Sequence, residues 1–95
     1  MKRYVLSPKA RCDLNLIWDY AEETWGVAQA EVYLASIQKT LIGLCDRTVI
    51  SQSANHIREN YRKISVGSHI IFFKENNDIV EVVRILHQRM HTSRL

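Results

Sequence analysis

Glycine and proline are scarce, three residues and one respectively, where together they make up roughly 12% of an average protein. That shortage excludes a turn-dense sandwich, a collagen-like segment and a flexible linker, so most of the chain must lie in regular elements. Long apolar runs are missing too. The longest, such as Ile70 to Phe73, fall far short of the ~20 residues that cross a bilayer. The N-terminus alternates and meets Pro8 and Asp13 before any signal-like stretch forms, and the expected compartment is the cytoplasm. Cysteines number two, Cys12 and Cys45. They lack the C-x-x-C or Cys/His spacing of a zinc site, so they are expected as reduced packing residues, neither a disulfide nor a metal site. No Ser-His-Asp or Cys-His order, phosphate-binding glycine loop or paired-carboxylate spacing stands out, and nothing calls for a cofactor.

What is present has the balance of an ordinary globular protein, 46% hydrophobic and 24% charged over 95 residues, which is expected to form one domain, residues 1–95. The net charge of +3 is unevenly placed. Residues 1–50 balance six basic against six acidic side chains, whereas Arg58, Arg62, Lys63, Lys74, Arg84, Arg89 and Arg94 outnumber Glu59, Glu75, Asp78 and Glu81 in the second half, which also holds all four histidines. Such a half either meets an anionic partner or is a solvated basic face, and charge alone does not separate the two.

Lys2 to Leu6 reads as a short strand, and Ser7-Pro8 supplies an N-cap followed by proline at the first helical position. A helix follows whose apolar stripe is Ala10, Leu14, Ile17, Trp18, Ala21 and Trp25, with Asp13, Asp19, Glu22 and Glu23 off the stripe and Gly26 as its stop. Trp18 and Trp25 are expected in the core. A second helix carries the seam Val27, Ala30, Leu34, Ile37, Leu41 and Leu44, so the two form an antiparallel hairpin. A second apolar set on this helix, Ala28, Val32, Ala35 and Ile42, is covered either by the sheet or by a partner helix or strand. Periodicity fails from Cys45 to His56, which reads as a loop. Three strands are expected after it, about Ile57 to Ser65, Ser68 to Lys74 and Ile79 to Leu86, with turns at Gly67-Ser68 and at Asn76-Asn77, where positive φ is tolerated. The order β-α-α-β-β-β gives an α+β fold, a helical hairpin on a small, largely antiparallel sheet with one sheet face left over.

On the last strand, strict alternation assigns Val80, Val82, Arg84 and Leu86 to one face and Ile79, Glu81, Val83, Ile85 and His87 to the other. Beyond it, His87-Gln88-Arg89-Met90-His91 with Arg94 forms the densest reactive cluster of the chain. Arginine as an anion clamp and histidine as acid or base suit a phosphodiester; a solvated basic tail has the same composition. His69 lies in an apolar strand and reads as either a hydrogen-bonded structural residue or a catalyst.

A series of short motifs carries a family likeness: Tyr4-Val5-Leu6-Ser7-Pro8; Asp13-Leu14 with Ile17-Trp18 and Tyr20; Trp25-Gly26 with Gln29-Ala30-Glu31 and Tyr33; Tyr61-Arg62-Lys63; Val66-Gly67-Ser68-His69; and Val83-Arg84-Ile85-Leu86-His87-Gln88-Arg89-Met90. In this order and nearly end to end, the chain resembles the ParE branch of the RelE/ParE toxins of bacterial toxin–antitoxin pairs. The resemblance implies a helical hairpin on a small sheet, and a poison neutralised by a small acidic antitoxin, encoded beside it, in an oligomeric complex. It further implies antitoxin contact at Ala28, Val32, Ala35 and Arg62 and target contact at Arg84, His87, Gln88, Arg89 and Arg94. ParE-like toxins stall DNA gyrase on cut DNA, whereas RelE-like relatives cleave mRNA in the ribosome, a reaction for which His87 and His91 would be the catalytic candidates here. The cleaving branch commonly ends in a basic pair followed by a Tyr or His. In this chain Gln88 interrupts the pair and every tyrosine precedes residue 62, which favours a binding poison without catalytic residues. The chain departs from the ParE pattern in a 45–55 loop without Pro or Gly, in Asn60 where Gly is usual, and in His91 where Asp is frequent.

Overall fold

The computed structural model describes residues 2–90, 93 and 95. Strand β1 (Arg3–Leu6) leads into helix α1 (Pro8–Trp25) and helix α2 (Val27–Asp46), followed by β2 (Gln52–Ser53), β3 (Arg62–Val66), β4 (His69–Glu75) and β5 (Ile79–His87). The sheet order is β1-β5-β4-β3-β2. β1 pairs parallel with β5 and the other pairs are antiparallel, so the α+β architecture is as expected, with one strand more. No described helix is long and apolar enough to cross a membrane.

The helix boundaries follow local chemistry. Ser7 Oγ accepts from the Ala10 N–H at 3.0 Å and Pro8 occupies the first turn, satisfying a helix end that would otherwise hold orphan donors. Gly26, at φ 90°, stops α1 and starts α2 without an intervening loop. Ala10, Ile17, Ile37, Leu41 and Leu44 pack with Ile71, Phe73, Val80 and Val82 into the main core between hairpin and sheet. Three expectations are corrected here. Trp25 is 52% exposed and Val27 50%, because both flank Gly26 at the connecting end of the hairpin. Asp13 is buried: its spacing from Ala10 and Ile17 places it on the inward stripe.

The segment read as a plain loop has its own structure. α2 continues through the buried Cys45 to Asp46, and Arg47 ends it in the left-handed region at φ 62°. Cys12 is exposed, and both cysteines are free thiols. The third strand starts at Arg62 rather than Ile57, since residues 54–61 fold into a compact turn closed by Ala54 N–H to Tyr61 O at 2.7 Å and Asn60 N–H to Asn55 Oδ1 at 2.6 Å. Asn60 takes the left-handed conformation, φ 68°. Ala54, Ile57 and Tyr61 pack with Phe72 and Leu86, so this turn covers the sheet face that the sequence left over. Asn76 shapes the β4–β5 turn differently from expectation. Its Oδ1 accepts from the Asp78 and Ile79 N–H groups, both at 2.9 Å, a side-chain turn that needs no positive φ.

The feature that positions the functional end of the sheet is a bulge in β5. Phe72 lies opposite Arg84 and Phe73 opposite Val82, so Val83 is an extra residue and alternation shifts by one. Ile85 therefore joins Val80 and Val82 in the main core, while Leu86 falls into the second cluster, which corrects the faces expected from strict alternation. β1 ends at Leu6, opposite Val82, leaving the bulge to be held by the start of α1. Ser7 Oγ donates to Val83 O at 2.7 Å. Asp13 accepts from Arg84 Nε at 2.8 Å, from Arg84 Nη2 at 2.9 Å and from the Ile85 N–H at 2.9 Å. Its hydrogen bond, more than burial opposes, raises the Arg84 pKa above the usual guanidinium value.

Two predictions follow from this geometry. Removing one partner of a buried, hydrogen-bonded pair strands the other charge, so Asp13→Asn is expected to lower unfolding free energy by about 3–5 kcal/mol in chemical denaturation; a loss under 1 kcal/mol contradicts the clamp. Gly67 has φ +54°, and a Cβ there would lie 2.6 Å from Tyr33 Cε1. Gly67→Ala should therefore cost about 2 kcal/mol by the same measurement, and a neutral effect would show that the Tyr33 ring is not seated against the turn.

Candidate functional site

The Gly67-Ser68 turn, the end of β5 and the turn after it meet the middle of α1 and the first turns of α2. Register puts His69 directly opposite His87, with ring centres 5.3 Å apart and planes nearly perpendicular. A run of rings continues outward from His69 through Tyr33 at 5.6 Å, Trp25 at 6.1 Å and Tyr20 at 6.0 Å. A cleft of about 360 Å³ opens beside the two histidines, lined by Asp13, Leu16, Ile17, Tyr20, Ile85 and Met90 as well as the histidines themselves. Leu16 and Tyr20 are exposed, one helical turn apart on α1.

Hydrogen bonds fix the polarity of both imidazoles. Tyr33 Oη lies 3.2 Å from Val66 O, 3.0 Å from Ser68 N and 2.6 Å from His69 Nδ1. A hydroxyl has one proton, and a carbonyl accepts only. All three contacts are satisfied together when Ser68 N–H and His69 Nδ1–H donate to Tyr33 Oη and Tyr33 donates to Val66 O. His69 Nε2 is then an acceptor. At His87 the Arg89 N–H donates to Nδ1 at 3.1 Å, which leaves the ring proton on Nε2. The pair thus offers one acceptor and one donor nitrogen at the same cleft. Burial, and then the neighbouring His87, lower the His69 pKa below the ordinary histidine value, with Asp13 acting weakly the other way.

The residues singled out in the sequence are dispersed over three surfaces. His87, Gln88 and Arg89 share the sheet end: Gln88 N–H donates to Ser68 O at 2.8 Å and Met90 N–H to His87 O at 2.8 Å, and the Gln88 and Arg89 side chains are exposed. Arg84 is held inward on Asp13. His91 and Arg94 lie outside the described residues. Ala28, Val32 and Ala35 are exposed on α2, Val32 at 64%, so of the two covers open from sequence the sheet is not one. Val32 lines a shallow groove of about 350 Å³ with Trp25, Gln29, Tyr33 and Ser36. Arg62 stands apart from that groove. It donates to Ser51 Oγ and Ser51 O at 2.8 and 3.0 Å and lines a polar trough with Tyr61, Lys74 and Glu81.

Sequence reasoning missed three contributors. Asp13 was assigned to the polar face, although its spacing on the Ala10–Ile17–Ala21 stripe was the available signal. Tyr20 and Tyr33 stood in the motifs that carry the family likeness but were given no role at a site, and only strand register brings His69 to His87. Among the described residues no three His, Cys, Asp or Glu side chains gather in a way that could hold a metal ion.

Comparison with known proteins places this geometry in context. Residues 4–92 match the family model described as the ParE toxin of the type II toxin-antitoxin system parDE. The chain is 42% identical over 93 residues to Toxin ParE1 of Mycobacterium tuberculosis, covering 97% of this chain and 95% of that protein. It is 38% identical over 91 residues to Toxin ParE1 of Caulobacter vibrioides, covering 96% and 94%. A solved structure of a chromosomal ParDE system from P. aeruginosa has the same fold, with a TM-score of 0.74 at 17% identity over 92% of this chain and 95% of that one. The chain belongs to the ParE toxin family of type II toxin–antitoxin systems.

Proposed function

We propose that this protein arrests growth by binding DNA gyrase and stalling it on cut DNA, and that an acidic antitoxin neutralises it. The observation that carries the binding reading is the Asp13–Arg84 pair. Cleaving RNA through its 2′-hydroxyl needs cations around the phosphate beside the acid and base, and Arg84, the cation nearest in sequence to His87 on β5, has its guanidinium on Asp13. Among the described residues, the cleft next to the histidines is walled by Leu16, Ile17, Ile85 and Met90 and by no basic side chain other than the histidines themselves. Gln88, Arg89 and Arg94, with His87, are the target-binding residues of this reading. Arg84 serves it by fixing β5, the strand that ends at His87. Ala28, Val32 and Ala35 form the antitoxin face, an exposed apolar stripe fit for an amphipathic helix, and Arg62, on β3 next to the short edge strand β2, adds a separate cation for an acidic segment. The toxin acts in the cytoplasm.

The alternative is ribosome-dependent mRNA cleavage with His87 or His91 in catalysis. The donor–acceptor polarity of His87 and His69 favours it, and the lack of a basic side chain among the described residues lining the cleft disfavours it.

Two measurements separate and test these roles. Purified toxin should inhibit supercoiling and trap gyrase–DNA breaks while leaving mRNA on translating ribosomes intact, and Arg89→Glu should weaken the inhibition by about tenfold or more. Cut mRNA with untouched gyrase overturns the reading. Val32→Asp should weaken antitoxin binding by at least about tenfold, since it buries a charge in an apolar contact, and retain growth arrest. Unchanged antitoxin affinity removes α2 from the interface.

A further inference from the structure

Helix α1 carries a charge pattern that its own fold does not use. Its basic side chains, Lys9 and Arg11, stand in the first turn, and its exposed acids, Asp19, Glu22 and Glu23, in the second half, with no acid in the first turn and no base in the last. That order opposes the helix dipole, which favours acids at the N-terminus and bases at the C-terminus, so the placement is unfavourable to the helix alone. Neither Lys9 nor Glu23 has an ion-pair partner among the described residues. Between them runs an exposed strip of Cys12, Leu16 and Tyr20. At the helical period Lys9, Cys12, Leu16, Tyr20 and Glu23 fall within about 80° of one another, beside the Ala10–Ile17–Ala21 stripe that is buried. Met90, also exposed, adjoins Leu16 and Tyr20 across the cleft.

The strip is its own complement. Lys9 and Glu23 are equally distant from Leu16 along the chain, and so are Cys12 and Tyr20. A two-fold axis at Leu16 therefore sets Lys9 against the second copy's Glu23, Cys12 against its Tyr20 and Leu16 against its Leu16, the self-matching contact that a symmetric dimer requires. The two helices run antiparallel, so the basic start of each meets the acidic end of the other. Charge also selects the occupant: an acidic antitoxin segment laid here would meet repulsion from Asp19, Glu22 and Glu23. We infer that α1 is a self-association surface, on which a second copy of this chain docks as an antiparallel helix pair centred on Leu16. One helix pair is smaller than the ~1,600 Å² of a standard interface, so the dimer is micromolar and concentration-dependent. This surface is separate from the α2 residues assigned to the antitoxin and does not depend on which macromolecule the toxin attacks.

The test is sedimentation equilibrium of the purified toxin from micromolar to millimolar concentration, across which the wild type is expected to pass from monomer to dimer. Leu16→Asp should weaken association by at least about tenfold, because it brings two carboxylates together at the axis. Lys9→Glu and Glu23→Lys should each weaken it by about fivefold or more, and the two combined should restore it, a rescue that a merely structural defect does not produce. Oxidation of the Cys12→Ser/Leu16→Cys variant should yield a disulfide-linked dimer, which keeps the proposal falsifiable should a charge variant fail to fold. It is overturned by a chain that stays monomeric at millimolar concentration, by association that Leu16→Asp leaves unchanged, or by a double charge swap that restores nothing. Loss of antitoxin binding in Leu16→Asp, with a monomeric wild type, assigns the strip to the antitoxin and overturns it as well.

Discussion

One carboxylate holds the working end of this molecule together. Asp13 takes both a guanidinium and a backbone N–H that has no strand beside it, at the point where β1 has ended and β5 carries an extra residue. An ion pair this well buried, 15% and 9% exposed at its two side chains, owes its stability to complete hydrogen bonding more than to Coulomb attraction. Here it also decides a register. With the bulge in place Ile85 faces the helices and His87 comes to the cleft; a regular strand would send them to the other side.

Much of the architecture was legible from periodicity and punctuation. Ser7-Pro8 and Gly26 mark helix ends because their chemistry is local, and the Ala30–Ile37–Leu41–Leu44 seam identifies a packed helix because burial repeats with the helical period. Legibility stopped where tertiary contacts override local pattern. Val83 looks like any strand residue, and nothing near it in sequence announces a bulge whose supports, Ser7 and Asp13, lie at the other end of the chain. The 54–61 turn was invisible for a similar reason: one closing bond joins the Ala54 and Tyr61 backbones, and the other is accepted by the side chain of Asn55, a residue that suits many turns.

The candidate site shows the same division. Gln88 and Arg89 were found because they are a dense polar cluster on an exposed turn, and the Val32 stripe because an apolar face off the seam needs an explanation. The pairing of His69 with His87 and the role of Tyr33 depend on strand register and on a single hydroxyl proton, neither of which a linear sequence displays. Arg84 had the composition of a binding residue, and only the buried Asp13 shows that its charge is used inside the protein.

The most direct test of this account is the tautomeric state of the two histidines, read by long-range ¹H–¹⁵N NMR together with ring-to-ring Overhauser contacts. The bulge and its Asp13 clamp predict the two rings in contact, and the Tyr33 and Arg89 hydrogen bonds predict His69 protonated on Nδ1 and His87 on Nε2. Rings with no mutual contact would show that β5 is not phased as described, and identical tautomers would contradict the hydrogen bonds that orient the two imidazoles.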